Sequence, residues 1–383
     1  MTKSIIISIL LCLGLLFITP KAKSDVDLDS LKIELITIGA GEYYWEAFGH
    51  SALRIKTDTQ DYMFGFGYFD FSEEDFFLKF AKGETRYFLG IDETDFELDD
   101  YKKQGRKIWI QNLQLSAPQK KELIDKLNFL SRPENRYYHY DYFLNNCTSR
   151  IRDILDEVTN GEISSQLGSA EMKRSWNDLT FPVTNQAWMN LGIAWIYGLP
   201  AYFDRDQWQL SVFPEDFSRD LKELETRQNW NKSFQVYYQP TAEESSFNHY
   251  GFFKTHYAML LCVSILLLAL MISITKKTAI NFWLIFQSLL GSAILVLWFM
   301  TSHTIAAYNI NIMLFFPFGF LLIFKKLNSV WLVNTFLVIN ILWLITAAVI
   351  TNLYLIGFFL VNLLIWKSLK SVAVQRALAI TAK

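Results

Sequence analysis

The sequence predicts an α+β domain outside the cytoplasm, an antiparallel sheet plus helices, followed by an all-α bundle of five transmembrane helices. Three observations predict it. The chain opens with a short apolar run behind a lysine. Its carboxylates stop abruptly two thirds of the way along. Between those points, stretches of alternating hydrophobicity give way to helical periodicity.

The opening "MTKSIIISILLCLGLLFITPKAKSD" has Lys3, an apolar run from Ile5 to Ile18, then Pro20 and an Ala22-Lys23-Ser24 exit. That is the pattern of a secretory signal peptide, here residues 1–24, and it is too short for a stable span. Cys12 lies inside the run and is expected to leave with it.

No Asp or Glu follows Thr255, and the chain there becomes apolar in blocks. A bilayer core needs roughly 20 apolar residues per helix. The expected spans of the membrane domain (255–383) are 257–275, 279–300, 305–324, 330–347 and 350–367. The uncharged run from Val330 to Trp366 would be about 55 Å long as one helix, so it must fold back near Thr351-Asn352. With the first domain outside, Lys276-Lys277, Lys325-Lys326 and the tail (Lys367, Lys370, Arg376 and Lys383) all fall on the cytoplasmic side. Five spans thus obey the positive-inside rule and leave the C-terminus cytoplasmic, whereas four would break it. The expected location is the bacterial inner membrane, with the first domain in the periplasm.

All 38 acidic residues precede Thr255, against 25 basic ones between the signal and that point, a net of about −13 for the outer domain. So acidic a surface argues against nucleic acid as a partner and gives no general attraction to anionic lipid.

Residues 25–254 suffice for one substantial domain. Strand-like alternation occurs at 31–38, 50–56, 62–69, 85–91 and 106–115. A helix over 118–130 carries Leu123, Leu127 and Leu130 on one face, with Ser116 placed to cap it. The next helix begins in "NNCTSRIRDIL": Asn145 or Asn146 is the N-cap, Ile151, Ile154, Leu155 and Val158 form the apolar face, and Gly161 suits the stop. Two more helices are expected within 185–200 and 214–224, and 239–248 is the linker into the membrane part.

Cys147 is the only cysteine of the outer domain, so no internal disulfide can form there. Cys262, in the first span, reads as a buried structural thiol. In the first turn of its helix Cys147 faces unpaired N–H groups and the positive dipole end, which favours the thiolate. A thiol nucleophile also needs a base. Of the domain's three histidines, His50 opens the strand "HSALRIK" and is the best candidate, although that position also suits a histidine merely satisfied at a strand start. His139 reads as a surface or packing residue, and His249 adjoins the membrane. No HExxH motif, cysteine pair or tight carboxylate–histidine cluster occurs, so neither a metal nor another cofactor is expected.

The order "FGHSALRI" followed about a hundred residues later by "NNCTSRIRD" resembles the circularly permuted branch of the NlpC-like, papain-fold thiol enzymes, as in the lecithin:retinol acyltransferase group. More closely, "GEYYWEAFGHSALRI", "YMFGFGYFDF", "FLKFAKGETRYFLG", "NRYYHYDYFLNNCTSRIRDIL" and "WMNLGIAWIYGLPAYFD" resemble the periplasmic domain of the Bacteroidota lipoprotein N-acyltransferase (Lnb) family, across nearly all of 31–217. That family also carries a C-terminal bundle of membrane helices. The resemblance implies a permuted papain/NlpC-like fold with Cys147 as acyl-accepting nucleophile and His50 as its base. The backbone of Cys147 and the Asn146 amide would hold the oxyanion, with Asn145 in support. Phospholipid would be the acyl donor and diacylglyceryl-cysteine lipoproteins the acceptors.

Two departures from the family pattern stand out. Asn145-Asn146-Cys147 stands where relatives often have Asp-Asn-Cys, and Gly65-Phe66-Gly67 where they commonly have Asn-Tyr-Gly. The histidine-orienting residue is therefore open, with Asp61 and Tyr62 as candidates. Arg150 is a candidate for a phosphate head group, or equally for ion pairing on the helix surface. Trp188, Trp195, Tyr197 and Phe203 form an aromatic segment that suits either a membrane interface or a core. The alternative functions are a membrane-tethered NlpC-like amidase or peptidase of the cell wall, and a non-enzymatic lipoprotein scaffold with a buried Cys147.

Overall fold

The computed structural model describes residues 28, 30–183, 187–224, 234–241, 277–324, 329–350 and 353–381. The expected signal peptide, the first span with Cys262, His249 and most of the expected linker lie outside the described residues.

The first domain is α+β. Its elements in chain order are β1 (Lys32–Ile38), β2 (His50–Lys56), β3 (Asp61–Tyr68), α1 (Phe76–Lys82), β4 (Arg86–Glu93), α2 (Thr94–Lys103), β5 (Ile108–Asn112), α3 (Ala117–Leu130), β6 (Tyr137–His139), α4 (Cys147–Val158), α5 (Glu162–Leu167), β7 (Glu171–Met172), α6 (Trp176–Val183), α7 (Ala187–Ile196), β8 (Arg205–Asp206), α8 (Gln207–Leu210), α9 (Pro214–Glu223) and β9 (Phe234–Tyr238). Seven strands form one antiparallel sheet in the order β6-β4-β3-β2-β1-β5-β9.

Period-two alternation sends the two side-chain sets of β1 and β2 to opposite faces. Leu35 and Leu53 pack with Leu123 and Leu127 of α3, Ile151 and Leu155 of α4, and Phe217 and Leu221 of α9. Ile36, Ile38, Ala52 and Met63 pack on the other face with Leu98 and Tyr101 of α2. The strands β6 and β9 and the helices α1 and α2 had no counterpart in the alternation reading. The acid-rich α2 shows only three buried residues, too few to raise a periodic signal.

The C-terminal part holds α10 (Lys277–Met300), α11 (Asn311–Leu314), α12 (Val330–Val349) and α13 (Ile356–Thr381). Three of these, α10, α12 and α13, are long and apolar enough to cross a membrane among the described residues. Segment 305–324 corrects the expectation of a fourth such helix: it is broken into α11 and the short 3-10 turns Thr304–Ala306 and Gly319–Ile323, with Pro317 between.

An interrupted backbone is tolerated among membrane helices only where other groups satisfy it. Ser288 of α10 accepts from Phe320 N–H at 2.9 Å, and Asn362 of α13 donates to Leu314 O at 2.9 Å. Asn362 also bonds Asn340 at 2.8 Å, and Asn311 accepts from Trp343 Nε1 at 3.0 Å. The segment runs beside α10 until Leu322 is buried with Trp283 and Leu284.

The two parts are docked. Ala194 of α7 is buried with Ile294, Leu314 and Trp343. Asn309 and Asn311 donate to the carbonyls of Ala194, Trp195 and Ile196, which end α7 and would otherwise lack partners. Trp195 thus packs against the membrane part, whereas Tyr197 is buried within the first domain, where its hydroxyl meets Thr180 Oγ1 at 3.1 Å. Phe203 is exposed, and the side chain of Trp188 lies outside the described residues.

Candidate active site

Asn146 is the residue on which the start of α4 is built. Its Oδ1 accepts from Thr148 N–H at 2.9 Å and Ser149 N–H at 2.8 Å, and Ser149 Oγ reciprocates by accepting from Asn146 N–H. The Asn146 amide nitrogen donates to Tyr142 O at 2.8 Å and Val212 O at 2.9 Å. Both hydrogens are therefore used, and the amide is a structural clamp with nothing left for an oxyanion. Asn145 is similarly committed: its side chain donates to His139 O, and its backbone bridges to Asp141. Both asparagines act through the position they give Cys147.

The Cys147 side chain sits where β3 parts from β2. The ladder between those strands ends at Ala52–Gly65, and the register of β3 on β4 shifts between Gly65 and Tyr68. A Cβ on Gly67 would lie 3.5 Å from Cys147 Cβ, an ordinary contact, and it is the φ of 95° that calls for glycine there. Thr148 Oγ1 is 3.8 Å from the thiol, and the backbone N–H groups of Ser51, Thr148 and Cys147 favour its charged form. Burial pushes the thiol pKa up, and those donors pull it back only in part. The net shift is upward. This runs against the expectation of a thiolate favoured at the helix start, because desolvation of the charge outweighs the donors around it.

His50 and Ser51 leave β2 on opposite faces. Ser51 Oγ meets Thr148 Oγ1 of α4 at 3.1 Å, while the His50 ring faces Tyr101 of α2, centroids 6.3 Å apart. His50 Nε2 is buried and has no hydrogen-bond partner. Burial, helped by the Arg106 guanidinium, pulls its pKa down to about 3. The imidazole is thus neutral, and the thiol and imidazole approach the β2–β3 seam from its two sides without a hydrogen bond between them.

The groups around His50 are ones that the sequence reading missed. Gly65 and Gly90 are paired across β3 and β4, and the Tyr68 ring lies over both: a Cβ would come within 2.8 Å of it at Gly65 and 2.7 Å at Gly90. Tyr68 donates to Glu97 Oε1 at 3.3 Å, and Tyr101 joins the same cluster through side-chain hydrogen bonds. Arg106, 3 % exposed, donates Nε to Gly39 O at 2.9 Å and stacks on Tyr101. Its Nη2 is buried without a partner, and its charge is felt at both Cys147 and His50. No local motif marks these residues, since two strands, a helix and the loop before β5 supply them.

Asp61 and Tyr62 are not brought to His50. Asp61 pairs with Lys56 at the opposite end of β2, six residues and about 20 Å away. Burial pushes its carboxyl up, but the hydrogen bonds from Arg54 and Lys56 outweigh it and hold the carboxyl well below the ordinary range. Tyr62 is exposed at that same end. Arg150 lies one turn beyond Cys147 with its guanidinium over the Tyr138 ring at 4.1 Å and its Nε buried without a partner. The helix-surface ion pair is made by Arg152 with Asp153. His139 is exposed.

A cleft lies between the two parts of the chain, lined by neither Cys147 nor His50. Phe80, Tyr87, Tyr140 and Asp141 line it from the first domain, and Ser302 to Ile305 from the loop after α10. Tyr140 separates it from Cys147, for a Cβ on Gly67 would be 3.9 Å from Tyr140 Cε2. Thr304 donates to Asp141 Oδ2 at 2.6 Å, which closes one side.

No curated protein and no solved structure matches the chain. Residues 19–184, which include His50 and Cys147, match the family model described as the Lnb N-terminal periplasmic domain, a match consistent with an enzyme of lipoprotein maturation. The match identifies the first domain as similar to the Lnb N-terminal periplasmic domain.

Proposed function

We propose that the chain is a membrane-anchored cysteine acyltransferase that moves a fatty acyl chain from phospholipid, through a Cys147 thioester, to the N-terminal amine of diacylglyceryl-cysteine lipoproteins. The observation that carries the reading is the position of the thiol: half-buried at a helix start, on the far side of Tyr140 from a cleft that the loop after α10 helps to wall. A substrate with lipid tails must reach the nucleophile from the bilayer, and a cell-wall hydrolase would have no use for such a wall.

With thiol and imidazole both neutral, the base acts during attack and not before it. Cys147 Sγ bonds to the ester carbonyl carbon as His50 Nε2 takes the thiol proton. The ester C–O bond then breaks, and the imidazolium returns that proton to the departing lysophospholipid oxygen. In the second half the lipoprotein amine attacks the thioester carbonyl and gives a proton to His50. The C–S bond breaks and the thiol is restored. The N–H groups of Cys147 and Ser51, which now face the sulfur, are the donors nearest an oxyanion on the carbon bonded to it. Burial, helped by Arg106, keeps His50 neutral, and the Tyr68–Glu97 pair fixes its ring. Arg150, one turn along α4, is the residue available to a phosphate head group.

Interrupted though it is, segment 305–324 leads from the cleft toward the opposite end of α10. This course agrees with Lys325-Lys326 and the C-terminus on the cytoplasmic side. The test is intact-mass measurement after incubation with phospholipid. A fatty-acyl adduct present in the wild type and absent from Cys147→Ala supports transfer; no adduct, with cleavage of cell-wall fragments, refutes it.

A further inference from the structure

The end of α10 fixes the height of α1. Three residues beyond Met300, His303 Nε2 lies 3.1 Å from Phe80 O, and Ser302 N–H donates to Lys82 O at 2.8 Å. A membrane-crossing helix ends at the head-group region, so the carbonyl end of α1 is tied at that level. Phe299 and Met300, the last residues of α10, are themselves exposed.

The outer face of α1 is apolar and uncovered. Phe77 is 78 % exposed and Leu78 54 %. A row of rings extends it. Tyr43 stacks on Trp45 at 4.9 Å, Trp45 meets Phe71 at 5.6 Å, Phe71 meets Phe76 at 5.0 Å, and Phe76 stacks on Phe80 at 6.2 Å. Within this row Tyr43 is 58 %, Phe71 51 % and Trp45 42 % exposed. Exposed rings gathered in this way, around a buried Phe76 and with Asp70, Glu74 and Asp75 exposed among them, mark a contact with another phase or partner. Their continuity with the exposed end of α10 decides which: a protein partner there would have to share the site with lipid. Exposed Lys82, at the end of α1, suits the phosphate level.

We propose that Phe77, Leu78, Phe71 and Trp45 form a ridge that dips into the periplasmic leaflet of the membrane. The ridge sets the mouth of the cleft lined by Phe80 and Tyr140 against the lipid surface. The inference rests on α10 crossing the bilayer and is independent of acyl transfer.

The test uses the full chain with Cys12, Cys147 and Cys262 replaced by Ala, reconstituted in nanodiscs of phosphatidylethanolamine and phosphatidylglycerol. A polarity-sensitive dye is placed at Phe77→Cys, at Leu78→Cys and, as a control, at Thr59→Cys in the exposed turn at the far end of the β2–β3 hairpin. Interfacial side chains reach about 5–10 Å into the boundary between head groups and acyl chains. Dyes at 77 and 78 should shift to the blue and be quenched at least about twofold by lipid carrying a nitroxide just below the head group, with the control unchanged. If both dyes are as little quenched as the control, the ridge is not in lipid and the proposal fails. Because the background lacks Cys147, loss of the acyltransferase reading would leave this outcome unaffected.

Discussion

The Tyr68 ring meets the His50 ring edge-on, with centroids 5.8 Å apart and planes at 78°. It is held there from both sides, by the Gly65–Gly90 pair beneath it and by the hydrogen bond of its hydroxyl to Glu97. Removing the hydroxyl should loosen the base and leave substrate binding alone. Tyr68→Phe is expected to lower kcat for adduct formation roughly tenfold at unchanged KM, a fraction of what a general base contributes. Gly65→Ala should cost more, about a hundredfold, because its Cβ would stand 2.8 Å from Tyr68 Cε2 and 3.0 Å from His50 Nε2 and displace both. A change in KM with kcat preserved would remove Tyr68 from the mechanism.

The ionisation state of Cys147 gives a second prediction. Burial raises the thiol and, with Arg106, lowers the imidazole, so the resting pair is neutral. Alkylation of Cys147 by iodoacetamide, followed by peptide mass mapping, should therefore be slow at neutral pH and rise only above the ordinary thiol range. A preformed thiolate–imidazolium pair would instead react quickly down to mildly acidic pH.

Arg106 bears on the acid side of the same profile. A positive charge beside an imidazole disfavours its protonation, so neutralising that charge raises the His50 pKa. General-base activity is lost as pH falls through that pKa, and Arg106→Gln should move the acid limb to higher pH. The limb should stay below the ordinary histidine range, since burial is the larger cause and remains. Arg106→Lys keeps the charge and should leave the limb in place. Identical limbs in wild type and Arg106→Gln would show that Arg106 serves only to hold Gly39 O and the Tyr101 ring.

What the sequence disclosed follows the range of each interaction. The strand β2 runs from His50 to Lys56, the bounds its alternation predicts, because one buried face leaves a period-two imprint. The start of α4 was equally legible, since a cap is a local matter. Asp61 was misplaced for want of one step: the turn at Thr57–Gln60 puts Asp61 opposite Lys56, and so at the far end from His50. The Tyr68–Gly65–Gly90 arrangement spans two strands and a bulge and leaves no local pattern. The sign of the Cys147 shift depends on how deeply the fold buries the thiol, which a helix start does not reveal. Hydropathy likewise registers that 305–324 is apolar, but not that Asn362 and Ser288 are placed to satisfy a broken backbone.

Asn146 is predicted to matter for stability more than for chemistry. Asn146→Ala removes the acceptor for two helix-start N–H groups and leaves the carbonyls of Tyr142 and Val212 without their donor. The cost should be roughly 1–3 kcal/mol, read as a lower thermal midpoint. Asn146→Asp keeps the cap but turns a carboxylate oxygen toward those two carbonyls, so it should not rescue the loss. Recovery of the midpoint in Asn146→Asp would show that the cap alone is what counts.

The last prediction concerns how the membrane part holds the cleft. Gly291 of α10 is the point of closest approach of the interrupted segment: a Cβ there would lie 1.6 Å from Phe315 O and 3.1 Å from Pro317 N. No rotamer relieves a clash with backbone, so Gly291→Ala must push 315–317 away from α10. That displacement threatens the bonds of Ser288 to Phe320 N–H and of Asn362 to Leu314 O, which exist only because the segment is close. Overpacking of this kind costs roughly 1–3 kcal/mol, and the thermal midpoint in detergent should fall accordingly. The same segment begins at the loop that carries Thr304 to Asp141. Adduct formation should therefore slow in Gly291→Ala although no residue near Cys147 has changed, and Thr304→Val, which removes only the bond to Asp141, should reproduce the slowing without the loss of stability. Normal adduct formation in both variants would mean that the membrane part holds the domain in place but does not shape its cleft.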